Sequence, residues 1–275
     1  MSHNRLPFLA QRVLNTPLII HPGKAEVILA ALGERFGISG FTPGAFQPWH
    51  DAGLAERLDA FGVTDRGFDL VDGVAVIPVE GTLVAKNDSI RPFSGLTGYD
   101  GIRFAFNAAL ADPAVAAIVL DIDSPGGEVS GCFDLVDMIA ASRGKKPIWA
   151  ILTESAYSAA YAVASAADKI IVPRTGGAGS IGVIAVITEM SGWLKNQGVT
   201  ANIIRFGARK ADGNPYEALP PEARERFQAQ IDKLGELFVE TVAENRGLKP
   251  EAVRDMEAAT FMADRSEERR VGKEC

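Results

Sequence analysis

The sequence predicts an α/β fold with an N-terminal helical extension, on three observations. From Val74 onward, short β-branched apolar runs recur along the chain. Segments with helical spacing lie between those runs. The first seventy or so residues show neither alternation and read as helical and irregular. Strands alternating with helices build a layered α/β architecture, and nearly continuous apolar strands are usual where a mostly parallel sheet is covered on both faces.

In chain order, GKAEVILAALGERFG (residues 23–37) sets Ala25, Ile28, Leu29, Leu32 and Phe36 on one face, an amphipathic helix stopped at Gly37. SGFTPGAFQPWHDAG (39–53) is rich in Gly and Pro and reads as a linker. Strands are expected at VAVIPVEG (74–81), AAIVLDID (116–123), PIWAILT (147–153), KIIVP (169–173), SIGVIAVITE (180–189) and ANIIRFG (201–207). Helices are expected within 99–112, 129–144, the serine-bearing stretch after 153, and 190–198. A long helix over 219–247 opens with two prolines and acidic residues and stops at Gly247. Its stripe of Phe227, Ile231, Leu234, Phe238 and Val242 is expected to pack on the body.

A chain of 275 residues can bury a sizeable core. Its net charge of −7 argues against a nucleic-acid-binding surface, and no apolar run reaches the roughly 18–20 residues of a membrane span. The opening residues, broken by Arg12, Asn15 and Pro17, do not read as a secretory signal. Cys132 and Cys275 form neither a disulfide framework nor a metal-site spacing, which fits a reducing compartment. RSEERRVGKEC (265–275) back-translates, with permitted codons, into a common sequencing-adapter oligonucleotide. We therefore expect the natural sequence to be interrupted near Asp264 and Cys275 not to be biological; the alternative is a charged tail.

Three features bear on chemistry. In LDIDSPGGEVSG (120–131) a strand runs into Gly126 and Gly127, either a plain turn or main-chain N–H groups turned outward toward an oxyanion. In ESAYSAAYAVASAADKI (154–170), Ser158 falls near a helix start, where the macrodipole favours negative charge. It is either a nucleophile or a small packing residue; Ser155 is the alternative N-cap and Ser165 a packing residue. A serine nucleophile needs a base, yet His3, His21 and His50 all lie far upstream in the sequence. Lys210, just beyond the expected strand 201–207, is either solvated or that base. As a base its pKa must drop from about 10.4 to roughly 7–8 through burial or a positive neighbour such as Arg209.

In order, DSPGGEV (123–129), SAAYAVASAADKIIVPRTGGAGSIGVI (158–184) and GARKADGNP (207–215) resemble the signal peptide peptidase A family of serine peptidases. The branch they look most like is that of the capsid-maturation proteases of lambda-like phages, as do VLNTPLIIHPGKAEVILAALGERFG (13–37) and VIPVEGTLVAK (76–86). The likeness runs from about Val13 to Ala263, and Ala159 and Ala160 stand where membrane-bound bacterial members have glycines. The resemblance implies a ββα spiral akin to the Clp protease and crotonase folds. It implies Ser158 as nucleophile, Lys210 as general base, Ser180 orienting the lysine, and Gly126 and Gly127 as the oxyanion-hole turn. It implies a peptidase domain over 71–264 following an extension over 1–70, with no metal and no cofactor. It implies protein substrates, namely capsid scaffold and portal-associated proteins, a homo-oligomer, and action in the host cytoplasm inside the procapsid, without nucleic-acid or membrane partners. The rival readings are a crotonase-like acyl-CoA enzyme, a non-catalytic capsid-associated protein and a cellular signal-peptide-degrading peptidase.

Overall fold

The protein is described by a computed structural model covering residues 17–21, 24, 65–87 and 89–263. The linker at 39–53, the tail at 265–275 and, apart from Lys24, the helix expected over 23–37 lie outside the described residues.

The sheet is built on three long parallel strands, β3 (Val74–Val84), β5 (Ala117–Glu128) and β6 (Ile148–Tyr157). Each is interrupted midway: the β3–β5 register shifts between Glu80 and Thr82, and the β5–β6 register between Ile122 and Ser124. The short strands divide at those breaks. β2 (Asp69–Val71) and β7 (Lys169–Ile171) pair with first halves, at Val74–Val76 and at Trp149–Ile151 respectively. β4 (Leu96–Gly98), β1 (Leu18–Ile20) and β8 (Gly177–Gly179) pair with second halves, at Thr82–Val84, Gly126–Glu128 and Ser155–Tyr157. β9 (Thr260–Met262) closes the far edge antiparallel to β8. Every long strand thus serves two half-sheets before handing over to a helix, which is the ββα spiral.

Those helices are α1 (Tyr99–Ala111), α2 (Cys132–Ala140) and α3 (Ala159–Ser165). α1 lies against β3 and β5, and α3 against β5 and β6. On the long strands one face is fully buried, with Ala75, Ile77, Val79, Ile118, Leu120, Ile122, Ile148, Ala150 and Leu152 facing the helices. The other face is only half covered, and Trp149 is 41% exposed beneath the Lys169 ammonium, 4.8 Å from its ring centre. The apolar runs therefore overstate burial; the alternation of a sheet covered on one face fits better.

After the short helix α4 (Ser191–Asn196), α5 (Pro221–Arg246) is capped by Gly247 in the left-handed region (φ 63°). α6 (Pro250–Arg254) leads into β9. Only the C-terminal half of the α5 stripe is buried: Phe238 and Val242 are, with Val239 and Ala243, whereas Phe227, Ile231 and Leu234 are half-buried.

Two expected strands do not form. Over 180–189 the chain leaves the sheet at Ser180 (φ 56°), and its one β-bridge joins Ile184 to Leu18. Over 201–207 there is no strand, and Ile204 and Phe206 are 98% and 101% exposed. A lone extended segment has nothing to complete its main-chain hydrogen bonds, so β-branched composition alone does not make it a strand.

The uneven burial of α5 sets a measurable contrast. Phe238→Ala empties a fully buried site in edge-on contact with Phe133 (ring centres 5.8 Å apart) and should cost about 3–5 kcal/mol in urea unfolding. Phe227→Ala should cost less than half as much, and equal losses would contradict this packing.

Candidate active site

The proposed site residues on the core strands gather at the C-terminal ends of β5, β6 and β8, where ligands meet open parallel sheets. β6 ends at Tyr157, Ser158 is the N-cap of α3, and its backbone sits at φ 56°, ψ −121°. That conformation costs an L-residue about 1–3 kcal/mol and persists only where the surroundings enforce it. Here the Ser158 N–H donates to Gly179 O (2.8 Å) and the Ser158 carbonyl accepts from Ala162 N–H (3.0 Å). The hydroxyl is held out of the strand and at the foot of a helix, as at a strand-to-helix elbow. The Ser158 Oγ is buried and has no hydrogen-bond partner among the described residues. A buried, unsatisfied hydroxyl is destabilising, so its retention points to use rather than packing. Ser155 lies within β6 and is not the cap. Ser165 is a packing residue as expected: buried, donating to Ala162 O (2.7 Å) and accepting from Asn245 Nδ2 (3.1 Å).

Gly126 and Gly127 are not a turn after the strand. They lie inside β5, between β3 and β1. Gly126 has φ 96°, and a methyl group there would stand 2.9 Å from Ser158 Cβ, 2.9 Å from Tyr157 O and 2.4 Å from Ile19 O. A methyl on Gly127 would be 1.8 Å from Leu83 O. Only glycine lets β5 come this close to the serine and to its neighbours. The Gly126 N–H donates to Ser124 Oγ (3.1 Å), and the Ser124 hydroxyl donates to Gly81 O (2.6 Å), so Ser124 pins the bend.

Ser180 is next to this centre. Tyr157 pairs with Gly179, so Ser158 and Ser180 leave adjacent strands together, both at φ 56°; the Ser180 N–H donates to Ala259 O (2.9 Å). Lys210 is not brought in. It is exposed in a turn where its N–H donates to Gly207 O (3.1 Å), and the turn is tied to α5 by the Asp212–Arg226 ion pair. The structure thus brings Ser158, Ser180, Gly126 and Gly127 together, while the Lys210 side chain is exposed and makes no hydrogen bond to the Ser158 Oγ.

Two neighbours were missed in the sequence. His21, distant along the chain, packs against Tyr157 with ring centres 5.1 Å apart and planes tilted by 40°, and its main-chain N–H donates to Pro125 O (2.8 Å). The signal was the apolar run Leu18-Ile19-Ile20 between Pro17 and Pro22, a short strand by composition. Burial pushes the Tyr157 phenol above its ordinary range. Cys132 is no rival nucleophile: desolvation drives its thiol up to about 12, so it carries no thiolate near neutrality. Among the described residues no group of three or more His, Cys, Asp or Glu is placed to hold a metal ion.

Residues 140–270, a span that includes Ser158, Ser180 and Lys210, match the model of peptidase family S49. Over 93% of its length it is 41% identical to the head-tail preconnector protein GP5 of Enterobacteria phage P21 and 38% identical to the capsid assembly protease C of Escherichia phage lambda. It spans 52% and 60% of those two proteins. A solved structure of the 1510-N membrane-bound stomatin-specific protease, a mutant in complex with a substrate peptide, aligns over 71% of each chain with TM-score 0.40 and 17% identity. Among the described residues no helix is long and apolar enough to cross a membrane.

If the Ser158 hydroxyl is a cost to the fold, Ser158→Ala should be at least as stable as the parent, by up to about 1 kcal/mol in denaturant unfolding. A loss of more than about 1 kcal/mol would show instead that the hydroxyl is structural.

Proposed function

We propose that this chain is a serine endopeptidase of the capsid-maturation type, cutting scaffold and portal-associated proteins by acyl transfer from a Ser158–Lys210 dyad. The observation that carries the reading is the buried, unpartnered Ser158 hydroxyl on a strained elbow beside Gly126, within a family S49 match. In this reading neutral Lys210 takes the Ser158 proton, and Oγ bonds to the peptide carbonyl carbon. The C–N bond then breaks, the amine leaves with the lysine's proton, and water hydrolyses the acyl-enzyme. The oxyanion is held by main-chain N–H groups of the glycine pair. With the Gly126 N–H bound to Ser124 Oγ and Gly127 opposite Ile19 in the ladder to β1, Gly127 is the donor we assign first, once that strand is withdrawn. Ser180, leaving the sheet beside Ser158, is assigned to orient the arriving amine.

The dyad needs the segment around 201–210 to close toward the elbow, and its composition favours such a change. Ile204 and Phe206 alternate as on a strand and are wholly exposed, so pairing that segment would bury apolar surface. We take the working form to be a homo-oligomer in which this segment is covered, acting in the host cytoplasm inside the procapsid. The likeness to the two phage proteins supports that setting.

The test is co-expression with the neighbouring capsid genes, read by mass spectrometry of the products. Ser158→Ala and Lys210→Ala should each lower cleavage by roughly 10³-fold or more while the proteins stay folded. Full activity in either refutes the dyad. Because the base must lose a proton to act, kcat/KM on a peptide substrate should climb between about pH 6 and 9. A flat profile over that range would rule out a lysine base.

A further inference from the structure

The strand β1 does not belong to the alternation that builds the spiral. It is a short piece from far upstream, laid antiparallel onto the glycine stretch of β5, with Leu18 opposite Glu128, Ile19 opposite Gly127 and Ile20 opposite Gly126. Its other edge is also held: Leu18 N–H donates to Ile184 O (2.8 Å) and Ile184 N–H to Leu18 O (2.9 Å). At its end the His21 N–H donates to Pro125 O and the imidazole packs on Tyr157, the residue before the serine. The segment is therefore clamped on two sides by the chain that flanks the elbow.

Its side chains fill the place. Leu18, Ile19 and Ile20 are 3%, 0% and 3% exposed. Ile19 points into the main core, while Leu18 and Ile20 on the opposite side form a separate cluster with Ile184. One point in space, where a methyl on Gly126 would be, lies 2.4 Å from Ile19 O and 2.9 Å from Ser158 Cβ. A peptide carbonyl and the serine's own carbon thus flank the same glycine. The buried state of Ser158 is consistent with this cover.

We propose that residues 17–21 are an intramolecular occupant of the substrate groove, and that the peptide displacing them is an extended strand with branched aliphatic residues at the Leu18, Ile19 and Ile20 positions. This rests on the serine peptidase reading of the site. Strand addition supplies main-chain hydrogen bonds that any extended peptide can make, and the alternating pockets select its side chains. An occupant tethered in the same chain competes at a high effective concentration, so it suppresses binding of an external peptide without any change in the catalytic groups.

The test reads binding, which needs no catalysis. A fluorescein-labelled peptide of sequence TPLIIHPG is titrated, by anisotropy, into the full chain and into Ile19→Asp, whose buried charge expels the strand. Ile19→Asp should bind the peptide at least about tenfold more tightly than the parent. Equal affinities in a folded variant overturn the proposal. Should Ile19→Asp fail to fold, Leu18→Pro, which removes the N–H given to Ile184 together with the buried Leu18 side chain, serves in its place. Hydrogen exchange at the Ile184 amide should speed up in either variant and slow again when the peptide is added; an unchanged rate likewise overturns it. Cleavage of an aliphatic peptide is scored separately. Tighter binding with no cleavage upholds the occupant and sinks the peptidase, whereas cleavage with unchanged binding does the reverse.

Discussion

The arrangement of this domain depends on one backbone constraint: Ser158 is forced into a region of φ,ψ space that L-residues avoid. Two neighbours enforce it. The parallel ladder from β6 to β8 ends with the Ser158 N–H on Gly179 O, fixing the last peptide of the strand. The next carbonyl is already committed to α3 through Ala162 N–H. Between these two bonds the chain has one residue in which to change from strand to helix. The glycine of β5 supplies the room, because any side chain at Gly126 would collide with Ser158 Cβ and with two carbonyl oxygens.

The same constraint accounts for the composition of α3. Every residue of AAYAVAS is buried, as are Ala166 and Ala167. A helix that starts at the sheet surface, with α2 on one side and α5 on another, is built mostly of small side chains, with Tyr161 the one large residue it buries. Its far end is held by charge: Arg143 donates to Ser165 O (2.7 Å) and Ala166 O (2.8 Å), and Arg246 to Ala167 O (3.0 Å). Two guanidiniums at the negative end of the helix dipole satisfy its last carbonyls. They also crowd one another; burial foremost, with Arg246 adding to it, lowers the Arg143 pKa. The elbow is thus anchored at one end by strand pairing and at the other by cations drawn from α5 and the loop after α2.

Much of this was legible in the residues. The long strands, α1, α2, the serine-bearing helix and α5 with its Gly247 stop are all encoded locally, by apolar period and by Pro and Gly punctuation. Ser158 was legible as a helix-start serine, and Gly126 with Gly127 as a place where the backbone needs freedom. What could not be read were properties that belong to pairs of distant segments. The glycine pair looked like a turn because local sequence does not show that β1 and β3 flank it. His21 looked remote because separation along the chain says nothing of strand addition. Residues 201–207 have strand composition without a strand, since pairing depends on a partner and not on propensity.

The two outlying features, an occupied groove and an exposed lysine turn, are independent in mechanism. Withdrawing residues 17–21 would open the space beside Gly127 and expose Ser158, but it would not move Lys210, whose turn is tied to the start of α5 through Asp212 and Arg226. Closing the 201–210 segment would bury Ile204 and Phe206, and nothing in that movement requires β1 to leave. Substrate access and base supply are therefore separate equilibria in the dyad reading, and each reduces the active fraction on its own. A ligand that binds only the open groove shifts the first, and whatever covers the exposed 201–210 segment shifts the second. In that reading, meeting a substrate is insufficient for cleavage until the second condition is also met.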